Sequence, residues 1–223
     1  HTALLRFLQE QPPSNGSAFN EAQQEQLRQQ SLSDPRKRAL GRLLQDTLQD
    51  FRIARILIND VAGNTLADSD FDRDTSAIGL NYRSRRYHHQ AMDHPSGKAQ
   101  QFAVSRTRRT PAFYFSSRVG AIDDALGVIV VMQEAEAFTG LLDDPERRVF
   151  VTDEQGVILM SNRKGDLLRR NPLSGRGRGD REDEIRLYQR VPELLPWTLE
   201  ATRVDGQPVQ VVSIDGSRHL ALA

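Results

Sequence analysis

Chemistry in this sequence concentrates in two arginine clusters, Arg83, Arg85 and Arg86, then Arg106, Arg108 and Arg109. Between Arg83 and Arg109 seven Lys or Arg stand against one acid, Asp93, although the whole chain balances 30 basic with 30 acidic residues. The excess is regional, so it suggests a local anion site rather than a field over the whole molecule. Arginine presents a planar fork of donors that matches carboxylate or phosphate. A helix beginning near Ser84 would add free N–H groups and a favourable dipole. Against this, a run of arginines is most often solvated surface. The hydroxyls of Tyr82, Tyr87, Tyr114, Thr107 and Ser116 fall in the same stretch. They suit the lining of one pocket, although each alone suits a core or turn position equally well.

Other chemistries find little support. His88 and His89 are adjacent, and on a helix they point about 100° apart. His94 lies beyond the H-P-S-G break, so the three do not make a natural metal set. The absence of cysteine excludes disulfides, thiolate metal sites and a Cys nucleophile. No G-x-S-x-G, H-E-x-x-H, P-loop or G-x-G-x-x-G occurs. No catalytic residue, metal or cofactor is therefore expected, and no nucleic-acid partner.

The elements that must position the arginines begin with helix. Leu4, Leu5 and Leu8 have helical spacing up to Pro12 and Pro13. A second helix is expected from a Ser17 cap to about Gln30. A third should be capped by Ser33, with Pro35 in its first turn and Leu40, Leu43, Leu44, Leu48 and Phe51 on one face. These helices suit either a layer on a sheet or a stalk that pairs with a second copy. From Arg55 the period becomes that of strands. The stretch from Ile56 to Met132 reads as an antiparallel sheet with a short helix, Ser84 to Met92, crossing between its strands. Strands are expected at Gln100 to Val104, Ala112 to Ser117 and Gly127 to Met132, with a linking helix from Glu134 to Leu142.

An internal repeat divides the chain. Asp60, Gly63 and Leu66 recur as Asp153, Gly156 and Leu159 at one constant offset, each time as an apolar strand, a D-x-x-G turn and a second strand. The second copy continues with a short helix at G-D-L-L-R-R and a mobile polar segment, S-G-R-G-R-G-D-R-E-D-E. Strands should follow near Leu187, at Trp197 to Ala201, at Val209 to Ile214 and at His219 to Ala223, the last three joined by D-G turns. A length of 223 residues accommodates one large domain or two small ones, and no apolar run is long enough to span a bilayer. The chain starts at His1 without a basic-then-apolar leader, as expected for a piece of a longer protein.

The run G-N-T-L-A-D-S-D-F-D-R-D-T-S-A-I-G-L-N-Y-R-S-R-R-Y-H-H-Q-A-M, followed by T-P-A-F-Y-F-S and L-G-V-I-V-V-M, resembles extracytoplasmic double Cache (tandem PAS-like) sensor domains of bacterial sensor histidine kinases, in particular the sensors of four-carbon dicarboxylates. The resemblance covers about Leu57 to Ser161. It implies an α+β fold, a long N-terminal helix followed by two PAS-like antiparallel-sheet modules. A helical stalk over 1–54, a membrane-distal ligand-binding module over 55–147 and a membrane-proximal module over 148–223 would follow. It also implies a periplasmic domain of an inner-membrane protein, held by flanking membrane helices and dimeric through the N-terminal helix, with a small carboxylate as ligand.

Matching the family's motifs residue by residue makes Arg85 the carboxylate fork and Tyr87 a pocket wall or donor. Thr107, Tyr114 and Ser116 become ligand hydrogen-bonding positions. Met132 stands where dicarboxylate sensors tend to carry Lys, with Arg106 as a replacement cation. The same domain can serve a chemoreceptor or a diguanylate cyclase. A small hydrolase or metal enzyme built on His88, His89 and nearby Asp residues is the rival of another class.

Overall fold

A computed structural model of the chain describes residues 2–11, 17–174, 179–204, 207–214 and 216–220. It divides into two compact units, His1–Glu134 and Ala135–Ala223. The fold is α+β, helices with antiparallel sheet, as the sequence implies.

Unit 1 begins with helices α1 (Thr2–Gln9), α2 (Glu21–Ser33) and α3 (Pro35–Phe51). The helix ends differ from those expected because better caps lie close by. Asn20, not Ser17, starts α2: its side chain accepts from the N–H of Gln23, whose own side chain accepts from the N–H of Asn20. Asp34 starts α3 by accepting from the N–H groups of Arg36 and Lys37, while the Ser33 hydroxyl donates back to Gln29 C=O. Pro35 occupies the first helical position, where no N–H is missed. The expected stop at Pro12 and Pro13 lies outside the described residues. On α3, Leu40 and Leu44 are buried and Leu48 packs beside them, whereas Leu43 and Phe51 are exposed. Leu43 lies off the row spaced by four residues, and Phe51 is the last helical residue before Arg52 turns left-handed.

The sheet of unit 1 has five antiparallel strands in the order β2-β1-β5-β4-β3. They are β1 (Arg55–Asn59), β2 (Thr65–Asp68), β3 (Lys98–Val104), β4 (Pro111–Ala121) and β5 (Asp124–Glu134), and helix α4 (Arg86–Asp93) lies between β2 and β3 in the chain. Alternation sorts the side chains. Ile56, Ile58, Ile129 and Val131 meet Leu8, Leu40 and Leu44 in one apolar cluster against the N-terminal helices. Arg55, Tyr114, Ser116 and Met132 occupy the other register positions, on the face that carries α4.

Unit 2 opens with a 3-10 helix, Ala135–Leu142, where the sequence places a linking helix. Strands β6 (Phe150–Thr152) and β7 (Ile158–Ser161) form a two-stranded sheet. β8 (Thr198–Val204), β9 (Gln207–Ile214) and β10 (Ser217–Leu220) form a separate three-stranded one. G-D-L-L-R-R makes only a 3-10 turn at Lys164–Asp166. Leu187, expected in a strand, lies in helix α5 (Arg181–Tyr188), which also takes up the end of the polar segment. Asp180 caps α5 by accepting from the N–H groups of Glu182 and Asp183, and acidic Glu182, Asp183 and Glu184 suit its first turn. Gly175 to Arg178, the Asp205-Gly206 turn, Asp215 and 221–223 lie outside the described residues. Ile158, Leu195 and Trp197 form the core, with Phe150 and Leu173 packed against it.

The sequence repeat is also a structural one. In each copy the Gly N–H donates to the Asp C=O, at 3.0 Å for Gly63 and Asp60 and 3.1 Å for Gly156 and Asp153. In each the next residue donates to the Asp carboxylate, Asn64 at 2.8 Å and Val157 at 2.9 Å. Both glycines have positive φ, 87° and 76°, which explains why glycine occupies the last position of both turns.

Candidate functional site

Arg85 and Tyr87 flank the start of α4. The Tyr87 ring stacks on Tyr114 of β4, with centroids 5.0 Å apart and 13° between planes, and lies 6.3 Å from Tyr82. All three rings are buried. Two bonds seat α4 on the sheet: the Ser116 hydroxyl donates to Tyr87 C=O at 2.6 Å, and Gln101 Oε1 accepts from the Tyr87 N–H at 3.2 Å. Ser116 thus orients the tyrosine, and its hydroxyl also lies 3.2 Å from Ala99 C=O.

The Arg85 side chain is buried, with 4% of the residue exposed. Its Nη2 reaches Val104 C=O at 3.4 Å, while Nη1 is buried and makes no hydrogen bond within the protein. Among the described residues no carboxylate pairs with it. The Tyr87 hydroxyl is likewise buried and unbonded. Burial pushes the Tyr82 phenol up to about 12, the Tyr114 phenol up, and the Tyr87 phenol well above its ordinary value. Each is therefore a neutral O–H at physiological pH, able to donate to an anion. Arg106 is exposed, donates to Asn81 C=O at 2.8 Å and holds its guanidinium 5.2 Å over the Tyr82 ring.

Beside this site lies a network that sequence reasoning missed. Arg55 is buried and forks Asp68 through Nε at 2.9 Å and Nη2 at 2.5 Å; its Nη1 donates to the Thr107 hydroxyl at 2.8 Å. Arg108 forks Asp70 at 2.9 and 2.8 Å and reaches Glu134 at 3.2 Å. Burial opposes both charges of the second pair, yet the bond between them prevails, holding the Asp70 carboxyl below its usual range and the Arg108 guanidinium above. An arginine opening an apolar strand, and an A-D-S-D run closing one, were the available signals, since a charge at a buried strand position requires a partner.

The expected residues are therefore sorted rather than gathered. Tyr87 and Tyr114 come together, Arg85 precedes the same helix with its side chain buried against Val104 C=O, and Arg106 lies beside Tyr82. Thr107 bonds Arg55, Ser116 secures α4, and Met132 is buried directly across the ladder from both Tyr114 and Arg55. His88 is buried, with Nε2 donating to Asp60 C=O at 3.1 Å and Nδ1 unbonded, and burial lowers its pKa. His94 bonds Ser96 and His89 is exposed, so the three histidines do not converge. Among the described residues no group of three or more His, Asp or Glu is placed to hold a metal.

No family model matches the chain. The C4-dicarboxylate transport sensor protein DctB of Rhizobium meliloti (strain 1021) is 28% identical over 123 residues, 55% of this chain and 20% of that protein. The protein of the same name from Pseudomonas aeruginosa is 26% identical over 139 residues, 60% of this chain and 22% of that one. The chain spans about a fifth of the length of these curated relatives. A crystal structure of the V. cholerae histidine kinase DctB sensor domain matches with a TM-score of 0.70 at 18% identity, covering 90% of this chain and 78% of that one. The chain has the fold of a DctB sensor domain. In that DctB-type fold the Arg85 and Tyr87 pair lies in the unit built on the five-stranded sheet. No helix among the described residues is long and apolar enough to cross a membrane.

Proposed function

We propose that this chain is the extracytoplasmic ligand-sensing part of a longer membrane-bound sensor histidine kinase, and that unit 1 binds a small carboxylate on Arg85. The observation that carries this reading is the pairing of two buried, unbonded donors, Arg85 Nη1 and the Tyr87 hydroxyl. An uncompensated buried guanidinium costs several kcal/mol, and a carboxylate accepting from both groups would offset that cost. Tyr82 and Tyr114 wall the site, and Arg106 draws the anion toward it. Unit 1 is the membrane-distal module and unit 2 the proximal one in this reading. Carboxylate binding that favours one of two arrangements of the N-terminal helices, paired with those of a second copy, would shift the kinase equilibrium across the membrane.

A thermal-shift panel of carboxylates, amino acids and polyamines tests the reading. A ligand at 100 times its Kd adds about 2.7 kcal/mol of stability. An anionic hit that disappears in Arg85→Ala is the expected result. Hits confined to polyamines, or hits that persist unchanged in Arg85→Ala, would rule the carboxylate site out.

A further inference from the structure

We infer that the site takes a monocarboxylate whose remaining body is uncharged, in preference to a dicarboxylate or an amino acid of matched length. This rests on the reading of unit 1 as a carboxylate sensor and narrows its ligand. On the face that carries α4, Arg118 spends its Nη1 on the carbonyls of Ala91, Met92 and His94 at the far end of the helix from Arg85, which leaves the site to the arginines near the start of α4. Arg55 spends its fork on Asp68, and Arg108 spends its own on Asp70 and Glu134, so neither retains a charge to offer. Arg106 is exposed and directs one nitrogen to the Asn81 carbonyl. Arg85 remains as the buried guanidinium in the site with no acid beside it.

One buried cation neutralises one carboxylate. A second would lie among neutral phenols and Met132, which is 1% exposed and stands across the ladder from Tyr114. Desolvating that second charge without a partner opposes binding. The same inventory disfavours an ammonium group, because Asp68 and Asp70 are already paired with Arg55 and Arg108. An apolar or hydroxylated tail meets no such penalty, and the unbonded Tyr87 hydroxyl can satisfy a hydroxyl or carbonyl on it.

Calorimetric titration of the chain with matched sets provides the test: butyrate, succinate and γ-aminobutyrate, then 3-hydroxybutyrate, malate and threonine. The monocarboxylate of each set should bind at least about tenfold more tightly than its partners, equivalent to about 1.4 kcal/mol. Met132→Lys, which adds a cation across from Tyr114, should reverse the preference toward the dicarboxylate. If that variant does not fold, the wild-type ranking decides alone. A dicarboxylate or amino acid that binds as tightly as the monocarboxylate, and needs Arg85, overturns the inference and leaves the sensor reading standing. If no carboxylate shows Arg85-dependent binding, the sensor reading fails and the inference falls with it.

Discussion

Units 1 and 2 share one strand–turn–strand device and treat buried arginine differently. Each has a strand, a D-x-x-G turn and a returning strand, and each places an arginine five residues before the turn Asp, Arg55 in one and Arg148 in the other. Each of those guanidiniums is forked by a carboxylate, Asp68 for Arg55 and Asp166 for Arg148. Further along they diverge. In unit 2 the buried Arg170 pairs with the buried Glu184 and donates to Gln155 C=O at 2.5 Å. In unit 1 the equally buried Arg85 has one long bond to a carbonyl and no acid. Tyrosine follows the same division, for Tyr188 of unit 2 donates to Asp153 while Tyr87 of unit 1 donates to nothing in the protein. The buried scaffold arginines Arg55 and Arg170 are compensated by acids within the chain, and the half-buried Arg118 meets backbone carbonyls, so a fully buried cation without an acid is the better marker of a ligand site.

The largest effect should come from breaking that contrast at the arginines. Removing Glu184 as Glu184→Ala leaves Arg170 uncompensated and should cost about 3–5 kcal/mol, whereas Arg85→Met removes an unpaired buried charge and should leave stability unchanged or higher. Urea unfolding of the two variants decides, and an equal loss in both would mean that Arg85 is compensated like the others.

The tyrosines sharpen the comparison at smaller scale. Tyr188→Phe strands the Asp153 carboxylate and should cost about 1.5–3 kcal/mol. Tyr87→Phe deletes an unbonded hydroxyl and should change stability by no more than about 0.5 kcal/mol, while weakening any ligand that uses it. Melting curves with and without ligand separate the two effects.

The shared turns should respond in the same direction and to a similar degree. An alanine at either glycine would carry positive φ. The Cβ added at Gly63 would sit 2.5 Å from the Arg83 backbone nitrogen, and that at Gly156 would sit 2.5 Å from the Ser174 Cβ, which side-chain rotation does not move. Gly63→Ala and Gly156→Ala should therefore each cost about 2 kcal/mol; a loss confined to one of them, measured as unfolding midpoints, would show that the turns are not equivalent.

The smallest effect concerns pH. Burial lowers the His88 pKa below its ordinary 6.5, although the bond to Asp60 and its charge oppose the shift. The unfolded chain therefore binds the proton first as pH falls, and the stability conferred by the neutral form is present above 6.5 and declines below it. His88→Gln should flatten that part of a stability profile measured between pH 7.5 and 5; an unchanged slope would assign it to other groups.

Much of the fold was legible in local pattern. The strands of unit 1 were legible as apolar runs bounded by Gly and Asp turn signals, and the duplication by two turns that need the same Asp and Gly. Boundaries were less legible, because Ser17 and Asn20, or Ser33 and Asp34, are competing caps a few residues apart, and only the hydrogen bonds made select between them. Helix α5 was missed because a run of acids after glycines resembles a solvated linker until Asp180 caps it and Glu184 turns inward to Arg170.

For the site, composition and spacing by themselves determined that basic and hydroxyl side chains crowd between Arg83 and Ser116, and family resemblance singled out Arg85 and Tyr87 among them. Which arginine is uncompensated was decided by the tertiary structure alone. Arg55 and Asp68 are thirteen residues apart and Arg108 and Asp70 thirty-eight, so each charge is cancelled by a partner that only sheet pairing brings within bonding distance. Sequence counts charges along the chain, whereas neutralisation depends on separations of a few ångströms in space.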